Sequence, residues 1–284
     1  MATAFFSYGN TLPAHRIAHS KYGGLFQPTM TQVIRLLSDP HNQNAHPQAP
    51  APAPTEGPSP SSLPPSDPFS SSHLTYTTTG LDSFPAPSAY PCRRFSWIHI
   101  FPEGKIHQHP DKIMRYFKWG VARLILESEP CPDVMAIWMD GPQQVMNEKR
   151  TWPRPMPRVG KDINFWFGEP VNTDKVFGPF RQRWQDLKSR ARRKQLALHK
   201  QSESSEELPE GQLGELKDDF LRYSPEAEQL RIDVTMAVRN EVLKVRRMSG
   251  LPDEDPKCGL AETWRQEGGK KEGEMKDGGV VVDM

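Results

Sequence analysis

Residues 40–91 set the first constraint on what this chain can fold into. Nearly half of its 29 prolines fall there, separated by Ser, Thr, Ala, His and Gln with few large apolar residues. Proline fixes φ and lacks a backbone donor, and a stretch this poor in apolar side chains cannot bury enough surface to offset its ordering entropy. The expectation is a disordered insertion, a spacer rather than a polyproline recognition site because no specific motif accompanies it. Any packed core must then be assembled from the residues on either side.

Those flanks carry helical and strand patterns. Thr29 is expected to cap a helix after Pro28, with Met30, Val33, Ile34 and Leu37 on one face and Pro40 as its stop. Order resumes at Phe95, where Phe95–Phe101 reads as a strand halted by Pro102-Glu103-Gly104. A helix is expected from Pro110, its stripe made of Ile113, Phe117, Val121, Leu124 and Ile125, with Lys112, Arg115, Trp119 and Arg123 opposite. Val134–Met139 and Ile163–Phe167 read as further strands, followed by a long helix after Gly178-Pro179 that buries Phe177, Phe180, Trp184, Leu187 and Ala191. A last helix begins near Pro225 with Leu230, Val234, Val238, Val242 and Val245 as its stripe. Strand, helix, strand in this order implies an α/β fold, a mixed sheet flanked by helices and at least partly parallel. The expected divisions are 1–39 and 95–201 as one core, 40–94 as the insertion, 202–224 as an acidic linker, 225–249 as the C-terminal helix and 250–284 as a disordered tail.

Charge and cysteine usage exclude several functions. Lys+Arg 36 against Asp+Glu 35 leaves a net charge of +1, which gives no general attraction for a nucleic-acid backbone. Cys92, Cys131 and Cys258 are scattered, without metal-ligand or redox spacing. His99, His107 and His109 lack a carboxylate or Cys to complete a metal set, so neither a metal nor a cofactor is expected. No apolar run reaches the ~18–20 residues that span a bilayer, and Met1–Phe6 does not read as a leader. Membrane contact is expected to be peripheral or re-entrant.

The segment from Ile98 to Glu127 carries the chemistry. A Pro-Glu-Gly turn at the end of a buried strand is where α/β sheets place ligand-binding groups. Glu103 offers a carboxylate there, Gly104 shapes the turn, and Lys105 stands close enough to lower the Glu103 pKa or to meet a phosphate.

Phe101-Pro102-Glu103-Gly104 resembles the third sequence block of the glycerolipid acyltransferase superfamily. With His99, Lys105 and the downstream Phe117-Lys118-Trp119-Gly120, the match looks like tafazzins, of the fungal type and truncated at the N-terminus. Phe5-Phe6-Ser7-Tyr8-Gly9 followed by Leu12-Pro13 and Arg16 resembles the second block, and Trp138 with Gly141 the fourth. The resemblance covers roughly residues 5–39 and 95–248. It implies an acyltransferase core that moves a fatty acyl chain between a phospholipid and a lysophospholipid without CoA. Cardiolipin and phosphatidylcholine are the implied lipids and mitochondrial membranes the implied location. Phe101, Pro102, Glu103, Gly104 and Lys105 would form the acceptor site, and Arg16 would hold the phosphate.

The family's first block is His, four residues, then Asp, with the His as general base. None of the nine histidines here has an Asp five positions on. His107 has Asp111 four positions on, but after the Glu103 turn. A polypeptide of these residues is therefore expected to be inactive. The alternative reading is a non-catalytic membrane-surface or interaction protein built on the same fold, using the amphipathic, basic helices after Pro110 and Pro179.

Overall fold

The computed structural model describes residues 12, 14–15, 20–38, 75–79, 81–82, 84–85, 97–147, 156–201 and 213–264. Helix α1, Pro28–Leu37, opens with proline at its first position, where no N–H is needed. Gln27, not Thr29, occupies the cap; Thr29 is buried within the first turn. The Gln27 amide is spent on the preceding loop, donating to the carbonyls of His15 and Gly24.

Strands β1 (Thr75–Tyr76) and β2 (Phe84–Pro85) form a short antiparallel hairpin inside the stretch expected to be disordered. Its turn is built on the Asp82 carboxylate, which accepts from the Thr77 hydroxyl and the Thr78 and Thr79 amides at 2.7–3.0 Å. Thr78 also meets His15 Nε2 at 2.8 Å, so one long-range bond joins the local turn. The rest of the proline-rich stretch lies outside the described residues.

The main core lies between α2 (Gly120–Glu127) and two helices that follow the second sheet. That sheet pairs β3, Ile137–Asp140, with β4, Asn164–Phe167, in the register Ile137↔Phe167 to Asp140↔Asn164. A one-turn helix, α3 (Pro142–Val145), follows β3 directly. Gly141 makes the corner with φ 109°, and a Cβ there would lie 2.2 Å from the Asp162 carbonyl oxygen. The long helix α4 runs Thr173–Gln201 and starts earlier than the Gly178-Pro179 signal suggested. Asn172 accepts the Lys175 amide at 3.0 Å and caps the first turn, and Pro179 is carried inside the helix. After α5 (Asp219–Tyr223), capped by Asp218, comes α6 (Pro225–Met248), capped by Ser224 with Pro225 at its first position. Phe177, Trp184, Leu187 and Ala191 of α4 interlock with Leu230, Val234 and Val238 of α6 and with Val121, Ile125 and Leu126 of α2.

Three sequence expectations are corrected. The described ladders are antiparallel, where a parallel component was expected. Residues 97–101, part of the expected first strand, carry no ladder among the described residues. Residues 110–119 are not helical: of the expected stripe Phe117 is 4% exposed and Ile113 is half-buried, while Met114, outside that stripe, is 2% exposed. Long-range acceptors take the amides a helix would need. Arg115 N–H goes to Glu103, Met114 N–H to Glu254, and Lys118 N–H to the Pro102 carbonyl. The expected tail, finally, begins with ordered structure. A 3₁₀ turn at Pro256–Gly259 and α7 (Ala261–Trp264) bury Cys258 and Trp264 against Tyr116. Helices packed with a small sheet remain compatible with the α/β class.

Candidate functional site

Phe101 to Gly104 forms a tight turn. Gly104 donates to the Phe101 carbonyl at 3.0 Å and takes φ 62°, a left-handed value that an L side chain would resist. The turn is tied to the chain behind it by the 2.7 Å bond from Lys118 N–H to the Pro102 carbonyl. Glu103 points inward, its Oε2 accepting from the Arg115 amide at 3.1 Å. Burial raises its pKa above the ordinary carboxylate value, and the Arg115 bond with the charges of Arg115 and Arg239 only partly opposes this. The expected lowering by Lys105 is therefore corrected: Lys105 is exposed and is not among the charges acting on Glu103. Phe101 and Ile106 are 65% and 71% exposed, so the outer rim of the turn is apolar with one lysine.

Arg115 and Arg123, expected on a solvated basic face, are each 1% exposed. Arg123 is held by Glu127 through two bonds at 2.5 and 2.6 Å and by the carbonyls of Leu25 and Gly214 at 3.0 Å. The Arg115 guanidinium lies 4.8 Å from the Trp264 ring centroid and 5.8 Å from that of Tyr116. His107 and His109 also present their rings edge-on to Trp264, at 4.9 and 6.3 Å. Asp111 sits beside His109 rather than His107: the Asp111 amide donates to His109 Nδ1 at 3.2 Å. A His107–Asp111 base is thus not assembled. Arg16 and the Phe5–Gly9 motif lie outside the described residues.

The residues that sequence reasoning missed are those that hold the turn from behind. The Glu254 side chain, 1% exposed, lies 2.6 Å from Arg239 Nη2 and 2.9 Å from Arg246 Nε, and accepts the Met114 amide at 2.8 Å. Arg239 also donates to the Met114 and Arg115 carbonyls, and Arg246 to that of Lys112. Residues 112–115 are therefore fixed on one side by Glu103 and on the other by this buried ion triad. One signal was available. Arg239 and Arg246 are two helical turns apart and adjoin the apolar stripe of α6, a seam that needs a buried carboxylate opposite. Pro252-Asp253-Glu254-Asp255-Pro256 supplies it while reading as plain surface composition.

Trp138 and Gly141 fall where β3 turns into α3. Trp138 packs on the main core, and the Arg246 guanidinium lies 5.7 Å from its ring. The opposite face of the ladder bears Met139, Phe165 and Phe167, all exposed, with the two phenylalanines stacked at 6.4 Å. Among the described residues no helix is long and apolar enough to cross a membrane.

No protein-family model matches the chain. The tafazzin of Saccharomyces cerevisiae is 30% identical over 179 residues, 60% of this chain and 42% of the yeast protein. A Dictyostelium discoideum protein named taffazin is 34% identical over 88 residues, 30% of this chain and 29% of its own length. The N-acylphosphatidylethanolamine synthase of Arabidopsis thaliana is 40% identical over 81 residues, 28% of each chain. The chain spans less than half the length of these curated relatives. On these matches the chain is similar to part of the tafazzins and, over a shorter stretch, to an N-acylphosphatidylethanolamine synthase.

Proposed function

We propose that this chain carries the acceptor-binding turn of a phospholipid–lysophospholipid transacylase that remodels cardiolipin acyl chains at mitochondrial membranes. The observation that carries this reading is the polarity of the Phe101–Gly104 turn. Its Glu103 is drawn inward to fix the backbone, while Phe101, Lys105 and Ile106 face out. An apolar rim bearing one cation suits a lysophospholipid, whose acyl chain and phosphate would meet Phe101 and Lys105 together. Phe101, Pro102 and Gly104 then shape the site, Glu103 holds it, and Arg16 supplies a second phosphate contact as the family resemblance implies. The relatives named tafazzin support the transacylase class. The missing His-x4-Asp leaves no general base for the acceptor hydroxyl, so the 284 residues as such do not turn over substrate.

The test uses phosphatidylcholine and lysocardiolipin in mixed vesicles. The purified chain binds lysocardiolipin saturably without acyl exchange, and Phe101→Ser and Lys105→Glu, both at exposed positions, each weaken binding several-fold. Acyl exchange by the chain would refute its inactivity; equal lysocardiolipin binding by both variants would refute the assignment of the turn.

A second reading, non-catalytic attachment to a lipid surface, draws on the outer face of the β3–β4 ladder. Met139, Phe165 and Phe167 are exposed there, and Arg158 and Lys161 are exposed in the segment leading into β4. Aromatic and thioether side chains beside cations fit an anionic bilayer interface.

A further inference from the structure

A cleft of about 400 Å³ opens between the Lys21–Pro28 loop, Trp119 and the junction of α5 with α6, and it shares no residue with the Glu103 turn. Three guanidinium groups converge on the Phe26 ring in its wall: Arg222 at 4.8 Å, Arg231 at 5.2 Å and Arg123 at 5.3 Å from the centroid. They differ in how their charge is met. Arg123 has Glu127, a buried carboxylate bound through two hydrogen bonds. Arg231 is 1% exposed; among the described residues its hydrogen bonds go to carbonyl oxygens, those of Leu221 and Arg222, while Glu127 and Glu228 favour its charge through space. Its Nε is buried with no acceptor among the described residues, and so is the Nε of Arg222. The Arg222–Asp219 pair is long, at 3.8 Å, with Asp219 82% exposed.

The ring face of Phe26 attracts cations but does not replace a counter-ion. Lys21 adds a further positive charge at the rim, and Glu228 is the carboxylate that lines the cleft. Burial lowers the Arg231 pKa to about 10, which still leaves it charged at neutral pH. A buried guanidinium with an unmet donor is costly unless an anion completes it. A tetrahedral oxyanion can accept from several N–H groups arriving from different directions, as two arginines and a lysine on separate elements would present them. The volume exceeds what a bare ion fills, and Tyr22, Trp119 and Tyr223 give the remainder aromatic walls.

We propose that this cleft binds a phosphate ester, from either a phospholipid headgroup or a soluble phosphate, with Arg231 and Arg222 as its principal donors and Lys21 at the rim. The proposal rests on neither the role of the Glu103 turn nor the transacylase reading.

Calorimetric titration of the purified 284-residue chain in a phosphate-free buffer tests it, using inorganic phosphate, glycerol 3-phosphate and dihexanoyl phosphatidic acid at fixed ionic strength. Saturable binding is expected for the esters, with no heat from glycerol. Lys21→Gln and Arg222→Gln lie at the partly exposed side of the cleft, and each should weaken binding ten-fold or more while Arg222→Lys restores part of it. Tighter binding of dihexanoyl phosphatidic acid than of glycerol 3-phosphate identifies the source as lipid; the reverse identifies a soluble phosphate. Absence of saturable binding by all three, or unchanged affinity in both glutamine variants, overturns the site.

Discussion

Two carboxylates grip consecutive amides: Glu254 takes Met114 N–H and Glu103 takes Arg115 N–H. Their electrostatics differ. Glu254 stands between two buried guanidiniums, and removing a partner from such a cluster leaves uncompensated charge, typically about 3–5 kcal/mol. Glu254→Ala should therefore lower unfolding stability by about that amount in urea titrations. A loss below about 1 kcal/mol, the range of exposed ion pairs, would show that the triad does not hold the fold. Glu103 has a folded pKa above its unfolded value, so the native state holds its proton more tightly. The stability it contributes is present in full below the unfolded pKa and is lost as pH rises through the folded one. Glu103→Gln removes that step. Its melting temperature should rise relative to the parent as pH increases just above the ordinary Glu range, and parallel curves would contradict the burial argument. Glu103 was legible from its turn. Glu254 was not, because the value of a carboxylate in a polar tail depends on arginines that reach it only after α6 is placed.

Elements were legible where periodicity and caps agreed and misread where long-range acceptors intervened. The stripes of α4 and α6 were read correctly, since Phe177, Trp184, Leu187, Ala191, Leu230 and Val234 are all buried. Trp184→Ala should cost about 3–5 kcal/mol, the range for a large core aromatic, as measured by chemical unfolding. The stripe before α2 was read correctly at Phe117 but not in conformation, and Arg115, expected opposite it, is buried: spacing does not fix which oxygen receives each amide or which guanidinium is drawn inside. Gly141 at the β3–α3 corner was singled out as a motif residue, and the structure gives it a steric reason. Gly141→Ala would drive a Cβ into the backbone of Asp162 and strain a positive φ. A drop in stability of about 1–3 kcal/mol is expected from strain of this kind, and an unchanged melting temperature would contradict the corner geometry.

At the scale of the molecule, the segments adjoining the Glu103 turn are far apart in sequence. The 101–104 turn, residues 112–118, α6 and the segment after it meet through bonds spanning more than a hundred residues, such as Met114 to Glu254. That is why the tail read as disordered in the sequence, and why residues 213–214, whose carbonyls accept from Thr31 and Arg35 of α1, read as part of a linker. The outward face of the β3–β4 ladder yields a prediction at the same scale. Phe165→Ser with Phe167→Ser should reduce flotation with cardiolipin-containing vesicles several-fold without altering the melting temperature, whereas unchanged flotation would remove this face from any lipid contact. The claim that matters most is that the Phe101–Lys105 turn meets the acceptor lipid. Photocrosslinking with a lysophospholipid that carries a diazirine near its headgroup, in vesicles of phosphatidylcholine and cardiolipin, tests it directly. Adducts on the peptide containing Phe101–Lys105, diminished by Lys105→Glu, are the predicted result; adducts confined to other peptides would contradict it.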